Sequence, residues 1–317
     1  MANLNETFLK FCDKIRLSKS KKENLITSRD TNRERIKKYF REELKKPQPE
    51  FFQQGSFSFK TTVNPISGEY DVDDGIYLQG LDEDFIDSLE PKIVHEWIGE
   101  AVKDATKNEV IDKPSCIRLV YVNDYHIDFP IYGIKDDKYY LAHTKSKSWI
   151  ENDLKGFNEW FYERLNSTSE QMRRNIIYLK AWADFNGYTN ITGILITVLV
   201  CQNQISKTDR EDESLYETVK LIIDILKINR SVIMPVVPYD NLLAKHDGKT
   251  IDNIISSFET LKVIAQRAIT EADFEKAADL WISVMGDRFV LIDKDKNESK
   301  SFFYSIPATI SKPWFDK

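Results

Sequence analysis

The sequence contains few cysteines and no long apolar run, and each shortage excludes a class of protein. Its three cysteines, Cys12, Cys116 and Cys201, lie far apart without a Cys-x-x-Cys pair, so neither a disulfide framework nor a cysteine-rich zinc site is expected. The longest apolar stretch, 194–201, is much shorter than the roughly 20 residues that cross a bilayer. No basic region followed by an apolar run opens the sequence, so we predict a cytoplasmic protein that makes no membrane contact.

The charge of the chain is acidic overall but basic near its N-terminus. With a net charge of -6 over 317 residues, it is not expected to coat nucleic acid through its overall charge. Residues 10–46 nevertheless hold 14 Lys or Arg against 6 Asp or Glu. Two interpretations stay open: the solvated sides of two surface helices, or one side of a cleft that binds a polyanion such as a nucleotide triphosphate.

Three patterns follow one another along the chain. Helical spacing of apolar residues continues to about residue 46, where Pro47 and Pro49 end it. Short β-like runs separated by turn residues then predict strands, with one helix between them at 91–106. The predicted strands are 58–63, 70–78, 115–122, 125–132 and 138–141, and the predicted later helices are 149–165, 169–185, 191–206, 212–228, 251–269 and 271–284.

This order predicts an α+β protein with two lobes. Residues 1–150 form a mixed sheet with helices, and residues 151–317 form a helical lobe. A cleft between two such lobes is a natural site for a ligand.

Acidic residues occur at two places in the predicted strands. Asp71 and Asp73 are two residues apart, so their side chains point to the same face of a strand. Asp128 lies in a second, apolar strand, where a lone charge is costly unless it is paired or bound to a metal. If the two strands are neighbours, the three carboxylates converge and can hold two Mg²⁺ or Mn²⁺ ions for displacement at phosphorus.

Other interpretations of these residues stay open. The first acidic segment is compatible with a turn or a calcium loop, although an EF-hand loop needs Gly at position six and Glu at position twelve, where this chain has Gly75 fifth and Asp82 twelfth. Asp128 alone is compatible with an ion-paired residue at the edge of the core. Gly55 and Ser56 alone form a turn, but beside carboxylate-bound cations their amides and hydroxyl bind phosphate.

The order Gly-Ser, Asp-x-Asp and a later Asp resembles the polymerase-β-like nucleotidyltransferase superfamily. More narrowly, residues 54–56, 69–75 and 126–130 are similar to the bacterial cGAS/DncV-like nucleotidyltransferases, which make cyclic oligonucleotides in CBASS anti-phage signalling. Residues 173–182 resemble the family's helix that carries a triphosphate-binding lysine before a tryptophan. Residues 191–197 resemble the start of its next helix, and residues 277–289 resemble its closing segment.

The resemblance implies a polymerase-β-like nucleotidyltransferase lobe and a C-terminal helical lobe, with the active site in the cleft between them. Asp71 and Asp73 would bind both divalent ions, and Asp128 would join the first ion and orient the attacking ribose hydroxyl. The residues implied to hold the triphosphate are Gly55, Ser56, Lys180 and Thr192. Thr192 stands where the family often has a serine.

The resemblance also implies substrates, products and partners. The substrates are NTPs including ATP, the product is a cyclic di- or trinucleotide, and CBASS accessory proteins are implied partners. No Cys/His cluster matches the zinc thumb of the animal enzymes, so activation by long DNA is not expected.

Three other functions stay open. The first is template-independent addition of nucleotides to RNA or protein, which would need a broader basic surface. The second is a binding module without catalysis, and the third is a structural calcium-binding protein. The synthase interpretation requires residues 71, 73 and 128 to meet at one point. If Asp128 faces away from the other two, or is capped by a neighbouring arginine, we expect the synthase interpretation to fail and only the two-lobed fold to remain.

Overall fold

A computed structural model describes residues 1–66, 70–80, 85–122 and 125–290. Glu69, Asp82 and the tail after residue 290 lie outside these ranges. The helices are α1 (Asn5–Ile15), α2 (Lys19–Glu42), α3 (Gly55–Ser58), α4 (Phe85–Ser88), α5 (Pro91–Val102), α6 (Leu154–Ser167), α7 (Glu170–Phe185), α8 (Gly193–Asn203), α9 (Glu211–Asn229), α10 (Gly248–Thr270) and α11 (Phe274–Met285). The strands are β1 (Glu50–Gln54), β2 (Tyr70–Tyr77), β3 (Ile111–Lys113), β4 (Cys116–Tyr121), β5 (Tyr125–Phe129), β6 (Ile131–Lys135), β7 (Lys138–His143) and β8 (Ser148–Glu151).

The strands form one mixed sheet in the order β3-β4-β5-β2-β6-β7-β8, and β1 pairs with β2 outside this path. β2 is antiparallel to β1 and parallel to both β5 and β6. Pro130 separates β5 from β6, because proline has no amide hydrogen to donate to a neighbouring strand. β2 is therefore central, and both of its edges are hydrogen-bonded.

One face of the sheet packs against α2 and α5. Val72 of β2 and Ile127 of β5 are fully or almost fully buried in this core, together with Ile36 of α2 and Val94 of α5. Since side chains alternate along a strand, the residues on either side of Val72 and Ile127 point to the opposite face. That opposite face carries the candidate site.

A second hydrophobic core joins the C-terminal helices to α1. Phe8 of α1 packs edge-to-face against Tyr178, Trp281 and Phe289, with ring centres 4.9 to 5.1 Å apart. Edge-to-face packing of buried aromatic rings adds to the stabilisation from their burial. The first helix of the chain thus packs with the helical lobe, and the predicted domain boundary near residue 150 stays a prediction.

Helix α6 contacts the sheet at the edge of the candidate site. The ammonium of Lys155 lies 4.2 Å from the centre of the Tyr77 ring and 4.8 Å from that of the Tyr139 ring. Such cation–π contacts are attractive because the face of the ring carries partial negative charge. They connect the first turn of α6 to strands β2 and β7.

The predicted order of elements is largely confirmed, with several differences in the sheet lobe. Strands β1, β3 and β8 were not predicted, and the helix predicted at 149–165 is wrong at its start, because β8 runs to Glu151 and α6 begins at Leu154. The predicted strand 58–63 is wrong, since a strand ends at Gln54 and the short helix α3 follows it. The predicted strand 125–132 is divided at Pro130. Within the described ranges, no helix combines the length and apolar character that crossing a bilayer requires.

Candidate active site

The register of β2 and β5 brings the predicted carboxylates to one face of the sheet. These parallel strands place Asp73 opposite Asp128 and Asp71 opposite His126. One carboxylate oxygen each from Asp71 and Asp128, and one ring nitrogen of His126, lie within 4.8 Å of one another. Strands β2 and β5 are therefore neighbours, which is the condition under which we predicted that the carboxylates converge.

A cavity of about 870 Å³ lies between this face and the helical lobe. Its volume is in the range of sites that bind small organic ligands. The sequence-predicted residues that line it are Gly55, Ser56, Asp71, Asp73, Asp128 and Lys180. The cavity therefore brings together six of the seven predicted site residues.

Gly55 occupies a position that favours glycine for two reasons. Its φ is +63°, in the left-handed region that other residues rarely adopt. A Cβ added at this position would clash with Oδ2 of Asp73. The backbone of Gly55 therefore lies directly against the Asp73 carboxylate, and the next residue, Ser56, has its hydroxyl 3.0 Å from that of Thr62.

A buried polar network supports the chain just before Gly55. Gln54 is 2% exposed, and its side-chain amide donates a hydrogen bond of 2.8 Å to the hydroxyl of Tyr77. The hydroxyl of Tyr132 donates to the Gln54 amide oxygen at 3.4 Å. Burial raises the pKa of Tyr77, so its hydroxyl stays neutral. The network holds Gln54 fixed and with it the start of α3.

The carboxylates repel each other in the way expected of cation ligands. Burial raises the pKa of Asp73 to about 7, and the charges of Asp71 and Asp128 contribute to the increase. Burial also acts to raise the pKa of Asp71, but the nearby imidazole of His126, with Nε2 3.7 Å from Oδ2 of Asp71, brings that pKa below the usual value. A divalent cation between these oxygens would relieve the repulsion, so this set of oxygen donors fits Mg²⁺ or Mn²⁺.

Asp128 is bound by an arginine. Its Oδ1 and Oδ2 accept hydrogen bonds of 2.6 Å each from Nε and Nη2 of Arg118, its neighbour on β4. The arginine cap is the outcome that we expected to overturn the synthase interpretation, while the expected convergence of Asp128 with Asp71 is met. The arginine criterion was too strict by itself, because the capped Asp128 still lines the cavity. Its predicted role as a metal ligand stays a prediction, supported by its position beside Asp71.

Lys180 reaches the cavity from helix α7. Its ammonium lies 3.2 Å from the hydroxyl oxygen of Thr61 and 3.5 Å from the Thr61 carbonyl oxygen. Burial lowers the pKa of Lys180 to about 8, although Asp71 acts to raise it. At neutral pH the side chain is therefore mostly a cation facing the carboxylates, as a residue that binds triphosphate should be.

Thr192 does not line the cavity. Its hydroxyl accepts a hydrogen bond from the backbone amide of Leu195 and so caps the N-terminus of α8. The hydroxyl of Thr192 is therefore used to cap α8, which begins at Gly193. Gly193, unlike Thr192, lines the cavity. The predicted contact between Thr192 and phosphate stays a prediction that this placement does not support.

Sequence reasoning missed three polar residues of the site. His126 lies two residues before Asp128 in the same strand, so the alternation rule that paired the aspartates also places it on their face. Asn152 and Asn158 line the cavity, and the Oδ1 atom of each has no hydrogen-bond partner among the described residues. Asn152 lies just before α6 and Asn158 within it, and an isolated asparagine at either position gave no pattern in the sequence.

Comparison with known proteins assigns the sheet lobe to a family. Residues 49–132 match the family model described as "Cyclic GMP-AMP synthase DncV-like, nucleotidyltransferase domain". The Cyclic GMP-AMP synthase of Escherichia coli is 25% identical over 252 residues, covering 62% of this chain and 56% of that protein. The Cyclic GMP-AMP synthase of Vibrio cholerae is 24% identical over 231 residues, covering 55% of this chain and 51% of that protein. The chain therefore spans about half the length of these curated relatives.

Solved structures share the fold over most of the chain. The Vibrio cholerae DncV cyclic AMP-GMP synthase in complex with nonhydrolyzable GTP has a TM-score of 0.76 at 20% identity, covering 88% of this chain and 93% of that one. The Bradyrhizobium diazoefficiens CD-NTase CdnG in complex with GTP has a TM-score of 0.73 at 14% identity, covering 91% and 96%. At these identities the similarity shows the fold.

The mixed sheet with a helical lobe beside it is the polymerase-β-like nucleotidyltransferase fold, as predicted. The strands that carry Asp71, Asp73 and Asp128 lie inside the part of the chain that the family model matches. The family-model match over residues 49–132 and the shared fold agree with the resemblance to the bacterial cGAS/DncV-like nucleotidyltransferases. The resemblance inferred from the sequence is therefore confirmed.

Proposed function

We propose that the chain is a metal-dependent nucleotidyltransferase that makes a cyclic di- or trinucleotide from NTPs. One observation carries this proposal: Asp71, Asp73 and Asp128 share one face of adjacent parallel strands in a DncV-like domain. The cavity that they line also contains a cation, Lys180, and the Gly55-Ser56 turn. Acidic residues opposite phosphate-binding groups are the arrangement that phosphoryl transfer requires.

The carboxylates would hold two cations and position the attacking group. Asp71 and Asp73 are the proposed ligands of both ions, and Asp128 is the proposed further ligand that orients the ribose hydroxyl. When bound, the ions lower the pKa of that hydroxyl and neutralise charge on the α-phosphate and on the departing pyrophosphate. Asp73 must lose its proton to act as a ligand, so its raised pKa makes cation binding depend on pH near 7.

The remaining site residues would hold the substrate in line for attack. The Lys180 ammonium would pair with the triphosphate, and the amides of the Gly55-Ser56 turn with the Ser56 hydroxyl would donate hydrogen bonds to it. Asn152 and Asn158 would accept hydrogen bonds from a base, because both residues line the cavity and their buried Oδ1 atoms have no partners among the described residues. Much of the rate would come from this positioning.

The substrates and the biological role are proposed from the family. The curated relatives are named for a product of GMP and AMP, so ATP and GTP are the first pair to test. We propose an anti-phage role with CBASS accessory proteins on the same ground. Closing the ring requires the linear intermediate to be turned over within one site, and this step rests on the similarity to these relatives.

Release of pyrophosphate tests the transfer step. Purified protein is incubated with ATP, GTP, CTP and UTP, singly and in pairs, with Mg²⁺ or Mn²⁺, in the presence and absence of RNA. Pyrophosphate release without RNA supports the synthase. Release only when RNA is present supports the alternative, nucleotide addition to RNA. No release under any condition would contradict both.

A further inference from the structure

Arg118 and Asp128 form a two-pronged ion pair beside the candidate cation site. They are partners in the register of the antiparallel strands β4 and β5, and both hydrogen bonds measure 2.6 Å. Their side chains are 19% and 11% exposed, so water screens the pair weakly. A bidentate guanidinium–carboxylate pair in such a setting is much stronger than an exposed one.

The same carboxylate belongs to the group of potential cation ligands. An Asp128 oxygen lies within 4.8 Å of potential ligand atoms of Asp71 and His126, while both of its oxygens accept hydrogen bonds from Arg118. A divalent cation that takes an Asp128 oxygen must share it with the guanidinium or displace the guanidinium. Sharing brings two positive charges close together, and displacement leaves the partly buried guanidinium without its anion. Either cost weakens the binding of the cation.

We propose that Arg118 is a positioning residue that competes with divalent cations for Asp128 and so sets the cation affinity of the site. This inference rests on the proposed function, because it takes Asp71, Asp73 and Asp128 as cation ligands. Arg118 holds both oxygens of one carboxylate in a planar fork. Lysine offers the same charge without that fork, so charge and geometry can be separated by substitution.

Mn²⁺ binding in the absence of NTP measures the competition directly. Unbound Mn²⁺ is quantified by electron paramagnetic resonance during titration of wild type, Arg118→Gln and Arg118→Lys. Loss of a charged hydrogen-bonded competitor should tighten Mn²⁺ binding about tenfold in Arg118→Gln. Arg118→Lys should fall between that variant and wild type, because it keeps the charge and loses the fork.

Arg33→Gln is the matched control. Arg33 also gives a two-pronged pair to a buried carboxylate, that of Asp74. Asp74 follows Asp73 in β2, so it points to the opposite face, toward α2. This control should lower thermal stability and change Mn²⁺ affinity by less than about twofold.

The outcomes separate this inference from the proposed function. Mn²⁺ binding that weakens in Asp71→Asn but is unchanged or weaker in both Arg118 variants would overturn the competition and leave the cation site standing. Mn²⁺ binding that is absent in wild type, or unaffected by Asp71→Asn, would overturn the cation site and the competition with it. If Arg118→Gln does not fold, Arg118→Lys decides by itself: affinity above wild type supports competition, and affinity at or below it contradicts competition.

Discussion

Asp73 is charged at a cost to stability, so Asp73→Asn should make the protein more stable. Folding raises its pKa from 3.8 to about 7. The free-energy cost of holding Asp73 in the folded site is absent at pH values below the pKa of this carboxyl in the unfolded chain. The cost grows as pH rises toward about 7 and is constant above that value. At pH 8 the difference corresponds to about 4 kcal/mol, and about half of that remains after allowance for the partial solvent exposure of the side chain.

The assay is urea unfolding with a chelator present, followed by circular dichroism. Asp73→Asn should exceed wild type in unfolding free energy by about 2 kcal/mol at pH 8 and by about 1 kcal/mol at pH 5. At pH 5 the folded Asp73 keeps its proton, so the smaller cost reflects only the ionisation of this carboxyl in the unfolded chain. Added Mg²⁺ should raise the stability of wild type more than that of Asp73→Asn, since only wild type has this carboxylate to offer.

Asp74→Asn, at the adjacent position, is a control for which we expect the unfolding free energy to fall instead of rise. Asp74 is fully buried and accepts two hydrogen bonds from Arg33. Its substitution leaves the arginine without its anion, so we expect a loss of about 2 kcal/mol. An Asp73→Asn protein that is less stable than wild type at pH 8, or whose gain does not change with pH, would refute the electrostatic account of the carboxylate cluster.

Three further predictions concern turnover. The double change Asp71→Ala with Asp73→Ala should abolish product formation while the circular dichroism spectrum stays native; retained activity would contradict the metal assignment. Lys180→Met should raise the KM for NTP about tenfold. The wild-type KM should rise above a pH of about 8 as Lys180 loses its proton, and the variant should lack this dependence. Gly55→Ala should lower kcat about a hundredfold, because its Cβ would clash with the Asp73 carboxylate; activity near wild type would show that this approach is unimportant.

Alternation and helical spacing were enough to predict most of the fold and the core of the site. The two-residue spacing of Asp71 and Asp73 placed both on one face, and the apolar strand around Asp128 supplied the partner strand. The strand predicted at 58–63 failed although its Phe, Thr and Val residues favour strands. Helix α3 runs from Gly55 to Ser58, and the φ of Lys60 is +58°, which interrupts an extended backbone. Local pattern did not reveal this backbone change.

Contacts between distant residues could not be predicted. Arg118 lies ten positions before Asp128, and only the register of β4 with β5 makes them partners. The resemblance implied that Thr192 binds phosphate, and a helix N-terminus suits phosphate, but the same position also lets Thr192 cap its own helix. The sequence does not say which hydrogen bond a hydroxyl makes.

The mass of the product tests the central claim most directly. Wild-type protein is incubated with all four NTPs and Mg²⁺ or Mn²⁺, the mixture is treated with phosphatase, and the surviving nucleotides are analysed by mass spectrometry, with the Asp71→Ala, Asp73→Ala protein as control. We predict a phosphatase-resistant product whose mass equals two or three linked nucleoside monophosphates with no free phosphate end, and its absence from the control. Only linear products, or the same product from the control, would contradict a cyclic-oligonucleotide synthase built on these carboxylates.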